Sequence, residues 1–361
     1  WAMQELSSDE AIAPTRGGDW DDNGRHRALH LHTWNADNDY LSGCFGQFGT
    51  TIYQASNVLR NNPTAQQAAE ARFIRALAIF DMIDLWGIAI FRENLEDFRQ
   101  DPMILDANKG IELILSEMNS IMNDLPASGP AYVANQDAAR VLMMKSYLNR
   151  GTFINPESPS FPAEDMNKVI EIADQIEGYT ISPPLKYFDN FAPDNDEKST
   201  ENIFTLFNQE GGRGGSVGNT YNTIAHYNMN PGGWNGWATL GSFYDKFSEG
   251  DERLGFFYDY PAFDKPNPAE AKTVGFLIGQ QYNLTTGEPL FARNPSNQPL
   301  EFTHDITIRT AGNTLETAGI RVLKYPYDYA SSTGQKNNDW VVYRYADVLL
   351  ETALRMKPWP S

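Results

Sequence analysis

The sequence predicts a mostly α-helical protein, in which paired helices form a scaffold and a long loop-rich segment with a few short strands is inserted. Apolar residues recur at helical spacing through residues 40–176 and again near the end of the chain. Residues 177–339 are instead rich in Gly, Pro, Asn and aromatic residues. We therefore expect one domain over residues 1–361, with the scaffold at about 40–176 and 340–357 and the ligand-binding loops at about 177–339.

The elements follow in order from the apolar spacing and from the residues that interrupt it. Residues 1–40 are predicted to be irregular, because Pro14, Gly17 and Gly24 break any period. Apolar spacing then predicts six helices, at residues 43–60, 65–87, 106–124, 135–150, 164–176 and 341–355. The second helix should begin after Thr64 and end at Gly87, and Gly151 should close the fourth.

The predicted helices come as consecutive pairs, and strand patterns are short. The pairs have the dimensions of tetratricopeptide (TPR) repeats, although the strict TPR sequence pattern is absent. Strand-like runs occur at Ile203–Phe207 and Ile320–Tyr325. Long loops on a rigid scaffold are common places for a binding site, so the loop-rich segment is where we expect function.

The second predicted helix carries apolar residues on more than one face. Ile74 and Leu77 lie on one stripe, while Phe73 and Phe80 lie on another, so other helices must cover it on several sides. We interpret Trp86, at its end, as a packing residue. Charged residues within this pattern and in the last helix should be paired, because an isolated buried charge is costly; they are Arg72, Arg75, Asp81, Asp84, Arg344 and Asp347.

Composition and charge exclude several classes of protein. The formal net charge of −19 disfavours binding to nucleic-acid phosphates or to an anionic membrane surface. No apolar run reaches the roughly 18 residues of a membrane-spanning helix. Cys44 is the only cysteine, so an internal disulfide and a multi-cysteine metal site are both excluded.

Four segments of the chain resemble motifs of one known family. They are Pro14–Gly24, Ala71–Asp81 with Leu85–Gly87, Ala138–Leu148 and Arg344–Leu350, and weaker matches lie between them in the same order. On these segments the chain resembles the SusD/RagB-like family of outer-membrane nutrient (glycan)-binding lipoproteins from Bacteroidetes-type bacteria. Where that family usually continues with a Gly-Asp-Val-Pro turn, this chain has Gly87-Ile-Ala-Ile90.

The resemblance implies a SusD-like TPR-type scaffold and a non-catalytic role. A protein of this kind would hold oligosaccharide or polysaccharide at the cell surface and deliver it to a TonB-dependent, SusC-like outer-membrane transporter. Its only link to the membrane would be a lipidated N-terminal cysteine, for which Cys44 is too far inside the chain. The family's last pair of helices is expected to be missing, because the match stops shortly before Ser361.

Sugar recognition needs flat aromatic faces and converging polar groups, and the loops contain both. One group of candidates follows Pro14 and the other surrounds residue 234. The predicted ligand-binding residues are Asp19, Trp20, Asp21, Arg25, Tyr40, Tyr221, Tyr227, Trp234 and Trp237. Each aromatic residue has an alternative interpretation, since Trp and Tyr in loops often fill the core beneath them.

Metal and cofactor signals are weak. His30 and His32 have the spacing of metal ligands on a strand, and such a site could be completed by His26, His226, His304 and Asp305. The acidic run at 194–197 offers oxygen ligands for Ca²⁺, although such loops are more often only solvated. We therefore predict no catalytic residues and no cofactor, with Ca²⁺ as the one candidate ion.

Two other functions compete with glycan capture. An α-helical glycoside hydrolase would need a pair of carboxylates, and 47 acidic residues make some such pair inevitable. A TPR-type scaffold would bind peptides along a helical groove. The sequence does not identify the glycan or its linkage.

Overall fold

The structure, a computed structural model, describes residues 1–92, 101–212, 217–258, 271–284, 286–293, 296–308, 315–331 and 335–356. The chain divides into two compact units. The loop unit consists of Trp1–Ser42, Ser182–Ser199 and Leu206–Trp340, and the helical unit of Gly43–Ile181, Thr200–Thr205 and Val341–Ser361. The organisation of residues 1–361 as one SusD-like domain stays a prediction.

Most of the regular structure is helical. The helices are α1 (Ala2–Leu6), α2 (Arg25–His30), α3 (Asp39–Arg60), α4 (Ala65–Trp86), α5 (Ala107–Ile121), α6 (Gln136–Ile154), α7 (Ala163–Ala173), α8 (Asn195–Lys198), α9 (Val217–Ile224), α10 (Gly241–Tyr244) and α11 (Tyr345–Met356). In the described residues no helix is long and apolar enough to cross a membrane. A mostly helical fold was predicted and is confirmed.

The strands are short and form two-stranded sheets. They are β1 (Gly17–Trp20), β2 (Ile88–Phe91), β3 (Met103–Asp106), β4 (Asn202–Leu206), β5 (Gly275–Leu277), β6 (Gly279–Gln280), β7 (Glu301–Phe302), β8 (Arg321–Leu323) and β9 (Trp340–Arg344). β2 pairs with β3, β4 with β9, β5 with β8 and β6 with β7. The two predicted strand-like runs correspond to β4 and β8.

The helical unit is built by consecutive helices packing on one another. α4 packs against α5, α5 against α6 and α6 against α7. Phe73 of α4 is fully buried, and its ring lies 4.9 Å from that of Phe204. A Cβ at Gly110 would lie 2.3 Å from Ile83 Cδ1, so glycine at this position allows α4 and α5 to approach closely.

The ends of α4 lie where the sequence predicted them. Thr64 and Gln67 form a capping box. The backbone N–H of Gln67 donates to Thr64 Oγ1 at 3.2 Å, and the backbone N–H of Thr64 donates to Gln67 Oε1 at 3.0 Å. Gly87 ends the helix in the left-handed conformation, with a φ of 70°. These local interactions satisfy backbone groups at both termini.

Two predicted pairings of buried charges are confirmed. Arg75 donates to Glu117 Oε1 and, at 3.2 Å, to Ser56 Oγ. Arg344 donates from Nη1 to Glu201 Oε2 at 2.8 Å. Each guanidinium thus has an anionic partner, which offsets much of the cost of its burial.

The packing role predicted for Trp86 is also confirmed. Its ring meets those of Phe45 and Phe48 edge-on, at 5.2 and 6.1 Å between centroids. All three residues lie in the helical unit. Such edge-to-face contacts stabilise an aromatic cluster beyond the area that it buries.

The prediction that residues 1–40 are irregular was wrong. This segment contains α1, β1 and α2, with Leu6 and Leu29 almost completely buried in one cluster with Trp237. Helices of five and six residues are too short to show apolar periodicity. Tertiary burial stabilises them where an isolated helix of this length would not form.

Gly151 does not end the fourth predicted helix. α6 continues to Ile154, and a Cβ at Gly151 would lie 1.8 Å from the Ser160 carbonyl oxygen. The glycine therefore permits the following loop to lie against the helix. Glycine is favoured both at the end of a helix and at a close backbone contact, so its presence in the sequence does not distinguish the two.

Candidate functional site

Within the loop unit, the segment before residue 20 lies beside the segment around residue 235. Ile12 and Ala238 exchange backbone hydrogen bonds of 2.7 and 2.9 Å. Arg16 donates from Nε to the Gly236 carbonyl at 2.8 Å. These two segments, which carry the two groups of predicted ligand-binding residues, therefore meet in the fold, although Arg16 and Gly236 lie 220 positions apart in sequence.

Trp20 is held against the second segment. Its indole Nε1 donates to the Trp234 carbonyl at 2.9 Å. A Cβ added at Gly236 would lie 2.3 Å from Trp20 Cζ2, so the indole ring packs directly on this glycine. Trp20 has a φ of 66°, which a tryptophan adopts only where its surroundings fix it.

Tyr227 contacts Asp19, the residue that precedes Trp20. Its hydroxyl donates to Asp19 Oδ2 at 2.6 Å, and the Arg293 guanidinium carbon lies 4.2 Å from its ring centroid. Burial, followed by the negative charge of Asp19, raises the pKa of Tyr227 to about 12. The phenol therefore stays protonated and donates to the carboxylate.

Trp234 is the exposed aromatic residue of the group. The residue remains 49% accessible to solvent. Its amide donates to the Asn222 carbonyl at 2.5 Å, while its carbonyl accepts from Trp20. We call the surface formed by Asp19, Trp20, Tyr227, Trp234 and Arg293 the aromatic shelf.

Buried arginines and an asparagine fix the backbone beneath the shelf. Arg321 donates from Nη2 to Asn235 Oδ1 at 3.0 Å and from Nη1 to the Gly319 carbonyl at 2.6 Å. Asn235 in turn donates to the Glu316 carbonyl at 2.9 Å. Burial lowers the pKa of Arg16 to about 9, so it still carries its charge at neutral pH.

His226 and Glu316 brace the loop that carries Tyr227. His226 Nε2 lies 2.9 Å from Glu316 Oε1, while its Nδ1 accepts from the Asn228 amide at 3.0 Å. This pattern assigns the proton to Nε2. Burial lowers the pKa of His226 to about 4, so the ring is neutral at physiological pH. The Arg293 amide donates to the same Glu316 oxygen at 2.6 Å.

Comparison with known proteins gives one sequence relative and many structural neighbours. No family model matches the chain. The chain is 27% identical over 253 residues to "Starch-binding protein SusD" of Bacteroides thetaiotaomicron, which covers 65% of this chain and 43% of that protein. The chain therefore spans less than half the length of that relative.

The structural neighbours cover almost the whole chain. A SusD superfamily protein from Parabacteroides distasonis superposes with a TM-score of 0.67 at 16% identity, covering 98% of this chain and 70% of that one. The chain has a SusD-like fold. Surface glycan-binding protein A from Bacteroides fluxus gives a TM-score of 0.64 at 17% identity, over 99% of this chain and 70% of that one. A structure solved with a xylogluco-oligosaccharide superposes with a TM-score of 0.66 at 16% identity, covering 98% of this chain and 67% of that one.

Three predicted residues have polar partners within the N-terminal segment. Arg25 pairs with Asp39 at 2.7 Å and lies over the ring of Tyr40 at 4.8 Å. The Tyr40 hydroxyl lies 3.0 Å from His26 Nε2. Asp21 pairs with Arg27 at 3.3 Å. Asp21, Arg25 and Tyr40 thus have partners within the N-terminal segment and are not members of the shelf.

Tyr221 and Trp237 are buried rather than exposed. Tyr221 is 4% accessible, and its hydroxyl donates to the Pro231 carbonyl at 2.8 Å. Trp237 is 5% accessible and stacks on Trp1, with 5.2 Å between ring centroids. Both residues fill space beneath the loops, so the structure does not bring them to the shelf.

The histidines considered as metal ligands have other partners in the structure. His304 contacts Asp245 and Asp305 at 2.9 and 2.7 Å, and His226 contacts Glu316 at 2.9 Å. Asp194, in the acidic run, pairs with Lys198 at 3.0 Å. Throughout the described ranges, no group of three or more His, Cys, Asp or Glu residues is arranged to hold a metal ion.

Sequence reasoning missed several residues that build the shelf. Arg293 and Glu316 lie in segments without a recognisable motif, whereas Arg16 lies in the motif-like segment Pro14–Gly24 but was not among the predicted ligand-binding residues. Their roles depend on contacts between segments that are distant in sequence, such as Arg293 Nε to Asn228 Oδ1 at 3.4 Å. Spacing along the chain carries no signal for such contacts.

Proposed function

We propose that this SusD-like protein binds oligosaccharide or polysaccharide at the aromatic shelf and does not catalyse a reaction there. The observation that carries this proposal is the exposed ring of Trp234, which is 49% accessible although its backbone is tied to Trp20 and to Asn222. An exposed indole in a fixed position is a ready stacking surface.

The shelf offers the two kinds of contact that a sugar requires. The C–H face of a pyranose ring stacks on an indole, while hydroxyl groups pair with charged and amide side chains. Asp19 and Arg293 flank Tyr227 and supply an acceptor and a donor group. One or two stacked rings contribute about 0.5–1.5 kcal/mol each beyond area burial, which is consistent with affinities of roughly μM to mM.

The comparisons support a carbohydrate as the ligand. The sequence relative is named for starch binding, one structural neighbour was solved with a xylogluco-oligosaccharide, and another is a surface glycan-binding protein. The wider role that we propose from the resemblance is capture at the outer-membrane surface. A SusC-like TonB-dependent transporter would then receive the glycan, and an N-terminal lipid would anchor the protein.

The hydrolase alternative has less support at the shelf. A glycoside hydrolase needs one carboxyl group that donates a proton to the leaving oxygen. Of the carboxylates here, Asp19 accepts from the Tyr227 hydroxyl and Glu316 accepts from His226 and from the Arg293 amide. Both are engaged as hydrogen-bond acceptors, which suits positioning rather than proton donation.

The proposal is tested by affinity electrophoresis of the chain on a panel of polysaccharides, with reducing sugar assayed in the same samples. We expect retardation on one or two glycans and no new reducing ends. Trp234→Ala should weaken binding about 3–10-fold or more, the loss expected for one stacked ring. Trp34→Ala is the matched control, because Trp34 is 43% exposed and lies outside the shelf.

Each outcome has a clear meaning. New reducing ends would support the hydrolase. Equal retardation of the unchanged protein and of Trp234→Ala would remove the shelf as the binding site. An equal loss in Trp34→Ala and Trp234→Ala would point to nonspecific aromatic adhesion instead.

A further inference from the structure

A second concave site lies in the loop unit, apart from the aromatic shelf. It is a cleft of about 250 Å³ whose walls include Trp237, Phe243, Phe247, Phe276, Val322 and Tyr325. None of the five shelf residues lines it. The glycan proposal does not use this cleft, although Trp237, one of the predicted ligand-binding residues, lines it.

Aromatic rings form the walls of the cleft from several directions. The Phe276 ring lies 4.9 Å from that of Phe247 and 6.3 Å from that of Phe243. Phe276 and Tyr325 are 3% and 7% accessible, so packing behind them fixes these rings. Fixed rings around a preformed cavity are suited to bind another flat ring by edge and face contacts.

The charged groups at the cleft nearly balance one another. Arg253 is bound to Asp251 through Nε–Oδ1 and Nε–Oδ2 contacts of 2.9 and 3.1 Å. Burial and the neighbouring Glu10 raise the pKa of Glu5 to about 7, so much of Glu5 is uncharged at neutral pH. Glu10 and Lys324, which carry opposite charges, also line the cleft. A strongly charged ligand is not favoured by this arrangement.

We propose that this cleft binds an uncharged aryl group that carries a polar substituent, such as a phenolic ester. A sugar is disfavoured, because the polar side chains that line the cleft are too few to partner all of its buried hydroxyl groups. An aryl ring avoids that cost and gains contact with the surrounding rings. Its polar substituent would lie beside Glu5, Glu10 and Lys324, which line the cleft and supply partners.

The test uses methyl ferulate as the probe, with binding measured by calorimetry and by saturation-transfer NMR at neutral pH. A ligand of this size in a preformed cleft is expected to bind with a Kd of roughly 0.1–1 mM. Ferulate, the matching anion, and methyl glucoside, a sugar without an aryl ring, should bind at least about 5-fold more weakly.

Two variants connect binding to this cleft. Val322→Phe places a ring in the cavity and should weaken methyl ferulate binding about 10-fold or more. Phe247→Leu removes one half-buried wall ring and should weaken it about 3–10-fold. Trp234→Ala is the control and should leave methyl ferulate binding unchanged. Thermal unfolding identifies any variant that is not folded, and Phe247→Leu serves if Val322→Phe does not fold.

The tests of the aryl proposal and of the glycan proposal are independent of each other. Unchanged methyl ferulate binding in a folded cleft variant would overturn it, as would absence of binding at several millimolar. Tighter binding of ferulate or of methyl glucoside than of the ester would also overturn it, because either result contradicts the proposed ligand chemistry.

Discussion

Individual residues at the shelf act through close contacts that tolerate little change. The indole of Trp20 occupies the space in which a side chain at Gly236 would lie. Trp20 also holds the Trp234 backbone through its Nε1 hydrogen bond of 2.9 Å. A single methyl group at Gly236 would therefore act on the exposed ring of Trp234 through Trp20.

We expect Gly236→Ala to destabilise the protein and to weaken glycan binding together. The new Cβ would lie 2.3 Å from Trp20 Cζ2 and 2.8 Å from the Thr223 carbonyl oxygen, so the ring has to move. Overpacking of this kind costs about 1–3 kcal/mol, which urea unfolding would measure. Gly129→Ala is the control, because nothing lies within 4 Å of its added Cβ. Equal stability of the two variants would contradict the account of Trp20.

At the scale of elements, local caps and long-range packing stabilise different parts of the chain. α4 has a complete capping box and a left-handed glycine at its end. α3 begins earlier than predicted, at Asp39, because the Tyr40 amide donates to Asn38 Oδ1 at 3.1 Å. The short helices α1 and α2 depend instead on the buried side chains of Leu6 and Leu29.

Loss of the N-terminal cap of α4 should measurably lower the free energy of unfolding. Thr64→Ala removes the oxygen that accepts from the Gln67 amide, and such a change typically costs about 1 kcal/mol. We expect a lower urea midpoint with an unchanged slope. Thr50→Ala, on an exposed stretch of α3 where Thr50 Oγ1 donates only to the Gly46 carbonyl at 2.9 Å, should change stability by less than about 0.5 kcal/mol. A larger loss at Thr50 than at Thr64 would show that the cap is unimportant.

At the scale of the whole molecule, the excess of acidic groups links stability to pH. Asp81 of α4 shows this most clearly, because burial, followed by the charge of Asp84, raises its pKa from 3.8 to about 7. The folded state then holds a proton that the unfolded state has released between about pH 4 and 7. Stability falls as the pH rises through that window, since the native state binds more protons.

Asp81→Asn should remove this part of the pH dependence. An amide resembles the protonated carboxyl group in shape and carries no charge at any pH. Above about pH 7 the variant is expected to be more stable than the unchanged protein, and below about pH 4 the two should converge or reverse. Thermal unfolding at pH 4, 6 and 8 measures the difference. A difference that does not vary with pH would contradict the role assigned to Asp81.

Asp84→Asn offers an independent check on the same group. Removing the neighbouring negative charge should lower the pKa of Asp81 and so narrow the window in which stability depends on pH. The pH dependence of this variant should therefore lie between those of the unchanged protein and of Asp81→Asn.

The sequence by itself determined the helical scaffold and its local signals. The pattern around Phe73 and Phe80 predicted a helix covered on several sides, and both residues are buried. Thr64 and Gly87 predicted the ends of α4, because caps depend on residues within a few positions. Similarly, the need to pair buried charges predicted partners for Arg75 and Arg344 without identifying them.

Only the tertiary structure decided which loop aromatics are exposed. Trp234 and Trp237 lie three positions apart in one Gly-rich loop, yet one is 49% and the other 5% accessible. The difference arises from contacts with distant segments, through Trp20 for Trp234 and through Trp1 for Trp237. Local sequence sets what a side chain is able to contact, whereas the contacts of a loop without its own periodicity depend on the rest of the chain.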